Sequence, residues 1–163
     1  MRILGIDPGS GATGYGIIDA GEPGSELRLV TYGAIPTNPK KPFHERLLTI
    51  HRGLNEVVAG VAKPDAMAIE GVFHAANVQS ALRLGHARGV ALLVAAEHGM
   101  TLHEYAPLEI KGAVVGYGRA DKSQVQAMVR LILRMPSPPT PDHAADALAA
   151  AICHANRLRF PAG

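Results

Sequence analysis

Hydrophobic and polar positions follow two different periods along this chain. Short runs of branched apolar residues, bounded by glycine, proline or acidic residues, predict strands at 2–7, 15–19, 27–35, 66–70 and 101–105. Apolar residues three and four apart predict helices at 43–62, about 77–97, 107–115, 122–134 and from Pro141 to about Arg157. Thr140 is the predicted N-cap of the final helix, with Pro141 at its first position. This order predicts an α/β fold. We expect a mixed central sheet with antiparallel first three strands and helices on both faces.

Length and composition limit the possible classes of protein. The chain has 163 residues and no linker long enough to divide it, so we expect a single domain spanning 1–163. A hydrophobic fraction of 47% excludes a disordered chain. The single cysteine, Cys153, excludes a disulfide framework and a cysteine-based zinc cluster. No segment reaches the roughly 20 apolar residues of a membrane span, and we expect a cytoplasmic protein with no membrane association.

The net charge of +2 is too small to indicate a nucleic-acid-binding protein by itself. Its distribution is more informative, because residues 111–134 contain five basic residues, Lys111, Arg119, Lys122, Arg130 and Arg134, against the single acid Asp121. A basic segment of this kind suits the phosphates of a nucleic acid. A solvated helix face explains it as well.

Three acidic residues stand at unusual positions in this pattern. Asp7 ends the first predicted strand, Glu70 ends another, and Asp146 lies among alanines and a leucine in the last helix. Turn formation explains Asp7, and solvent exposure explains each of the other two. Acids at two strand ends and near a helix start can nevertheless converge, and clustered carboxylates suit hard divalent cations.

Two neighbours of Asp146 compete for a fourth position in such a cluster. Asp142 precedes Asp146 by four residues and His143 precedes it by three, so both share its helix face. Asp142 is also explained by a favourable interaction with the helix dipole. The spacing alone leaves the choice between them even.

Small residues form two further patterns. Gly9, Gly11, Gly14 and Gly16 follow the first strand and suit either a phosphate cradle or a tight hairpin, without the Lys-Ser/Thr ending of a P-loop. Ala81, Gly85 and Gly89 recur every four residues in the helix after Glu70. That stripe indicates either packing on the sheet or a helix–helix contact across a dimer axis.

Four segments of the chain resemble a known family. They are GIDPGSGATGYGIID, IEGVFHAANVQSALRLGHARGVA, KGAVVGYGRADKSQVQAMV and DHAADALAAAICH, in order, and the resemblance runs from residue 2 to about 157. The family is that of the RuvC Holliday-junction resolvases of bacteria. The resemblance implies a ribonuclease-H-like fold, in agreement with the three strands that open the chain.

The resemblance also implies an activity. Members are homodimeric, metal-dependent endonucleases that resolve four-way DNA junctions by paired symmetric nicks in strands of like polarity, during homologous recombination and DNA repair. The branch-migration proteins RuvA and RuvB are the expected partners. The family's acids fall on Asp7, Glu70 and Asp146, its basic DNA contacts on Lys111 and Lys122, and its base-contacting aromatic on Phe73. We add Arg119 from the basic segment to the predicted DNA-binding residues.

The chain departs from the commonest family pattern at one position. Many members have an acid three residues before the last one, where this chain has His143. The resemblance therefore favours His143 over Asp142 as the fourth site residue. We expect Asp7, Glu70, His143 and Asp146 to hold two divalent cations per subunit, Mg²⁺ or Mn²⁺, with Mn²⁺ favoured because His143 supplies nitrogen. A general-base role is the alternative for His143.

Two other functions remain compatible with parts of the pattern. The sequence GIDPG followed by a glycine-rich hairpin also resembles the start of the actin and sugar-kinase ATPases, but 163 residues leave no room for their second domain. A non-catalytic junction-binding protein is the other alternative, and the retained acids argue against it.

Overall fold

A computed structural model describes residues 1–22, 25–71 and 77–159 of the chain. The strands are β1 (Arg2–Asp7), β2 (Ala12–Ala20), β3 (Leu27–Pro36), β4 (Ala66–Glu70) and β5 (Thr101–Tyr105). The helices are α1 (Phe43–Ala59), α2 (Val78–Glu97), α3 (Pro107–Val115), α4 (Lys122–Ile132) and α5 (Asp142–Arg159).

The strands form one five-stranded sheet in the order β3-β2-β1-β4-β5. Strands β1, β2 and β3 pair antiparallel with one another, whereas β4 runs parallel to both β1 and β5. The predicted mixed sheet is therefore confirmed. Because β1 and β4 are parallel neighbours, with Ile6 opposite Ile69, their carboxyl ends meet at one edge of the sheet.

Helices cover both faces of this sheet, as the sequence predicts. Leu4 and Ile6 of β1 pack with α1 and α2, whereas Ile3 of the same strand packs with residues of α3, α4 and α5. Burial on both faces explains why β1 is a continuous apolar run rather than an alternating one. Among the described residues, no helix combines the length and the apolar character that crossing a membrane requires.

Several element boundaries differ from the sequence prediction. Strand β2 begins at Ala12, within the glycine-rich segment, because Ala12 pairs with Pro36 at the end of β3. Helix α1 ends at Ala59, before Gly60. Helix α5 begins at Asp142, and the carbonyl of Pro141 accepts from the backbone N–H of Ala144 at 2.9 Å, so the proline precedes the first helical residue.

Candidate active site

Two of the predicted acids lie side by side at the ends of β1 and β4. Asp7 is the last residue of β1 and Glu70 the last of β4, one position beyond the paired residues Ile6 and Ile69. The next residue, Gly71, donates its backbone N–H to the carbonyl of Tyr105 at 2.9 Å, which fixes the end of β4 against β5. The sheet therefore places both carboxylates at the same edge.

Glycines let α5 approach that edge closely. A methyl group added at Gly5 of β1 would overlap the carbonyl of Ala147, and one added at Gly14 of β2 would overlap the carbonyl of His143. At Gly16 it would overlap the side chain of Leu148. The backbone of α5 therefore lies directly on β1 and β2. This gives a role to Gly14 and Gly16 that differs from both a phosphate cradle and a tight hairpin.

The first turns of α5 bring His143 and Asp146 to the two strand ends. Nδ1 of His143 lies 2.6 Å from Oδ2 of Asp7. Oδ2 of Asp146 lies 3.1 Å from Nζ of Lys122, the first residue of α4. Each of these two α5 side chains thus has a partner on another element.

Electrostatic repulsion couples the carboxylates of this site. Burial and the negative charge of Asp146 raise the pKa of Asp7, although the hydrogen bond from His143 opposes the change. Burial, Asp7 and Asp146 likewise raise the pKa of Glu70, and Lys111 opposes them. Carboxylates whose charges raise each other's pKa gain stability from a cation placed among them.

Two lysines face the acids from α3 and α4. Glu70, Lys111, Lys122 and Asp146 line one cavity of about 260 Å³. Burial lowers the pKa of Lys122, but its contacts with Asp146 and Asp142 outweigh burial, so that the pKa is raised overall. Lys122 is therefore held as a protonated counter-ion.

The structure separates the two candidates for the fourth position. Asp142 faces α4, where its Oδ1 accepts from Nε2 of Gln126 at 2.9 Å and its Oδ2 lies 3.4 Å from Nζ of Lys122. His143 faces Asp7 instead. The side chain that shares a contact with the strand acids is thus the histidine.

The described residues include four of the other predicted site residues, Arg119, Ala81, Gly85 and Gly89. Arg119 is exposed in the connection between α3 and α4. Phe73 lies outside the described residues. Gly85 and Gly89 of α2 face open space, with nothing within 4 Å of an added methyl group, and Ala81 is half-buried. Packing on the sheet therefore does not explain the two glycines.

The donor set fits a hard divalent cation. Asp7, Glu70 and Asp146 offer the carboxylate oxygens that Mg²⁺ and Mn²⁺ accept, and His143 offers a ring nitrogen, which suits Mn²⁺ better than Mg²⁺. Over 1–22, 25–71 and 77–159, no three histidine, cysteine or acidic side chains already stand in a metal-binding arrangement. Ion binding by these four residues would therefore require their side chains to rearrange.

The pairing of Lys122 with the acids was not predicted from the sequence. The sequence does contain the start signal of α4, since the side chain of Asp121 accepts from the backbone N–H of Gln124 at 2.9 Å. That signal fixes Lys122 as the first helical residue. It contains no information about how α4 packs against α5.

Comparisons with known proteins match nearly the whole chain to one family. The family model described as crossover junction endodeoxyribonuclease RuvC matches residues 3–154. The crossover junction endodeoxyribonuclease RuvC of Alkaliphilus oremlandii is 51% identical over 160 residues, which cover 98% of this chain and 96% of that protein.

Solved structures agree as well. Thermus thermophilus RuvC matches with a TM-score of 0.88 and 37% identity, covering 98% of this chain and 96% of that one. T. thermophilus RuvC in complex with a Holliday junction substrate matches with a TM-score of 0.88 and 34% identity, covering 99% and 97%. These matches confirm the predicted ribonuclease-H-like fold. The chain belongs to the RuvC family of crossover junction endodeoxyribonucleases.

Proposed function

We propose that this protein is a divalent-metal-dependent endonuclease that resolves Holliday junctions by paired symmetric nicks in strands of like polarity, in homologous recombination and DNA repair. The observation that carries the proposal is the convergence of Asp7, Glu70 and Asp146 at one sheet edge, with His143 in contact with Asp7. The relative from T. thermophilus forms a complex with a Holliday junction substrate, which supports the same substrate class for this chain.

Asp7, Glu70, His143 and Asp146 are the residues that would hold two divalent cations in each subunit. When bound, such ions activate a water as nucleophile at neutral pH and stabilise the charge on the scissile phosphate and the leaving oxygen. The site needs no protein nucleophile. The protein supplies the carboxylates on fixed strand ends, and the glycine contacts of α5 set the distance of Asp146 and His143 from them.

Basic residues beside the acids would position the phosphate backbone. Lys111 and Lys122 line the same cavity as Glu70 and Asp146, and Arg119 is exposed next to them in sequence. Loss of a phosphate contact weakens binding and lowers its salt dependence. The family resemblance adds Phe73 as the side chain that would stack on a base of the junction.

The proposed reaction needs two active sites, and a homodimer would supply them. Along α2, Gly85 and Gly89 lie open, and Val78, Leu82 and Leu93 on the same helix are 76%, 58% and 53% exposed. Exposed apolar surface next to glycine supports a close helix–helix contact. We also propose RuvA and RuvB as partners, as the family resemblance implies, and the cytoplasm as the location.

An Asp7→Asn variant tests the proposed chemistry. It removes the charge of one acid while keeping its shape, so cleavage of a synthetic four-way junction with Mn²⁺ should fall by at least a hundredfold, roughly the cost of losing one transition-state electrostatic contact. Gel-shift affinity for the same junction should stay close to that of the wild type.

Asp65→Asn is a matched control, because Asp65 lies just before β4, at the opposite edge of the sheet. The backbone N–H of Arg2 donates to a carboxylate oxygen of Asp65 at 2.7 Å, and the amide oxygen of asparagine can accept the same hydrogen bond. Wild-type protein that leaves the junction intact, or Asp7→Asn protein that still cuts it, would contradict the proposed function.

A further inference from the structure

A second group of basic residues stands at the same edge of the sheet as Asp7. Asp7 pairs with Gly14 of β2, and Ala12, two residues before Gly14, pairs with Pro36 at the end of β3. The chain therefore leaves β3 beside the active site, and the segment that follows carries Lys40 and Lys41 directly before α1. Both lysines are exposed.

Arg46 ties this group to the loop that follows Asp7. Its Nη2 donates to the carbonyl of Ser10 at 2.5 Å, and its Nε donates to the hydroxyl of Thr37 at 3.1 Å. The same hydroxyl donates to the carbonyl of Ser10 at 2.6 Å. The start of α1 is therefore fixed to the β1–β2 hairpin, three residues from Asp7.

The ring of Phe43 lies close to arginine side chains from two helices. The guanidinium carbon of Arg46 lies 5.6 Å from the centre of the Phe43 ring, and that of Arg83 on α2 lies 5.8 Å from it. The ring of His86 meets the edge of Phe43 at 5.7 Å. Two like charges at one ring repel each other, and an anion bound between them would relieve that repulsion.

Ion pairs with carboxylates neutralise little of the positive charge of these lysines and arginines. Lys41 pairs with Glu45 at 3.2 Å, but both side chains are exposed and such a pair is weak. Within the described ranges, Lys40 and Arg83 form no ion pair with an acid. The surface of Lys40, Lys41, Arg46 and Arg83 around Phe43, which we call the α1 basic surface, is therefore positively charged.

The α1 basic surface and the lysines of the active-site cavity lie on opposite faces of the sheet. Helices α1 and α2 pack on the face that contains Leu4 and Ile6, whereas α3 and α4 pack on the other face, where Ile3 lies. The catalytic edge thus has cations on both sides. The α1 basic surface is open and drawn from a loop and two helices, which suits an extended polyanion better than a small anion.

We propose that the α1 basic surface binds the phosphate backbone of a duplex arm of the junction. Lys40, Lys41 and Arg83 make the phosphate contacts, and Arg46 is a positioning residue that holds Phe43 and the hairpin together. This inference rests on the proposed function, because it assigns a second contact region to the same DNA substrate.

A salt titration of junction binding tests the proposal. For a Lys40→Ala/Lys41→Ala double variant, the slope of log Kobs against log[KCl] should become shallower by about 2, since each lost phosphate contact removes about 0.9. Arg83→Ala alone should reduce it by about 1. Lys63→Ala is the matched control, because Lys63 is exposed between α1 and β4, at the opposite edge of the sheet, and its slope should equal that of the wild type.

Varying the length of the junction arms distinguishes protein contacts with the duplex arms from contacts at the crossover. Shortening the arms of a synthetic junction should weaken wild-type binding until it equals that of the double variant, and below that length the two proteins should bind alike. Equal affinities and slopes for wild type and both variants on long arms would overturn the proposal while leaving the proposed function intact. Failure of wild-type protein to bind or cut any junction would overturn both.

Discussion

His143 stands at the position where the family resemblance implies an acid. Its ring nitrogen lies 2.6 Å from a carboxylate oxygen of Asp7. A nitrogen donor suits Mn²⁺ better than Mg²⁺, which favours an octahedron of oxygens. The identity of this one side chain is therefore expected to influence which ion supports cleavage.

The first prediction at the residue scale concerns the choice of ion. Wild-type protein should cut junctions faster with Mn²⁺ than with Mg²⁺, and His143→Asp should reduce that ratio of rates several-fold because it restores an oxygen donor. Parallel titrations of both ions against single-turnover cleavage measure the ratio. Asp142→Asn is the control, since Asp142 faces Gln126 and its loss should leave the ratio unchanged. Equal cleavage rates with Mn²⁺ and Mg²⁺ in the wild type would contradict this prediction.

The second prediction at this scale concerns His154, which is 1% exposed. Its Nδ1 lies 2.7 Å from the hydroxyl of Tyr105, its ring stacks on His103 at 4.0 Å, and its Nε2 has no hydrogen-bond partner among the described residues. Burial, with a smaller contribution from His103, lowers the pKa of His154 to about 4. The folded protein therefore holds this imidazole neutral.

Stability should fall as His154 is forced to accept a proton. The unfolded chain binds that proton near pH 6.5 and the folded chain only near pH 4, so the free energy of unfolding declines as the pH falls between those values. Urea titrations of wild type and His154→Gln, which cannot titrate, should show a difference that shifts by about 2 kcal/mol between pH 7 and pH 5. Parallel pH dependence in the two proteins would contradict the assignment.

The sequence predicts some residues of the site more fully than others. Asp7 and Glu70 were found because an acid at a strand end is unusual, and the parallel pairing of β1 and β4 then brings them together. The choice between Asp142 and His143 stayed even on spacing, since both share a helix face with Asp146. Only the position of α4, which faces Asp142, separates them in space.

At the scale of elements, the contact of α5 with β1 and β2 sets the geometry of the site. The glycines of the two strands leave room for the helix backbone, so that α5 rests on strand backbone at Gly5 and Gly14. A side chain at either position would push the helix outward. The distance between the strand acid Asp7 and the helix residues depends on that absence of side chains.

Gly14→Ala should therefore impair both stability and cleavage. The added methyl group would overlap the carbonyl of His143, and overpacking of this kind costs about 1–3 kcal/mol. Chemical denaturation measures the loss, and junction cleavage should fall further than the folded fraction alone accounts for, because His143 moves.

Gly11→Ala, in the loop just before β2, provides the control. An added methyl group at Gly11 meets nothing within 4 Å, so this variant should keep wild-type stability within about 0.5 kcal/mol. Identical behaviour of the two alanine variants would show that α5 does not rest on Gly14.

The elements themselves were more predictable than their contacts. Runs of branched residues predicted all five strands, because these strands are short and bounded by breaking residues. The early start of β2 at Ala12 was missed, since it depends on pairing with Pro36, more than twenty residues away. The role of Gly14 was missed for a similar reason, because close approach of a helix is a property of the folded chain.

At the scale of the whole molecule, the open stripe of α2 predicts the oligomeric state. Gly85→Arg should convert a dimer to a monomer in sedimentation velocity experiments, because a long charged side chain would prevent close contact of two α2 helices. Ala127→Arg, at an exposed position of α4 on the other face of the sheet, should leave the dimer intact. A dimeric Gly85→Arg protein, or a monomeric wild type, would contradict the prediction.

The net charge of +2 says little about DNA because its parts lie in different places. Lys111 and Lys122 face the acids on one side of the sheet, and Arg46 and Arg83 gather around Phe43 on the other. The sequence predicted the first group as a run of basic residues. The second was missed because its members come from segments almost forty residues apart, which only the folded chain brings together.

If the metal ions and the junction bind as proposed, the ion pair of Lys122 with Asp146 would make the binding of the two ligands mutually dependent. The ammonium group that neutralises this carboxylate becomes available to a phosphate once another cation takes its place at the carboxylate. Each ligand then raises the affinity of the other by the same factor, as thermodynamic reciprocity requires. Lys122 would thus be a shared counter-ion that disfavours binding of either ligand alone, so that ion and junction would bind cooperatively.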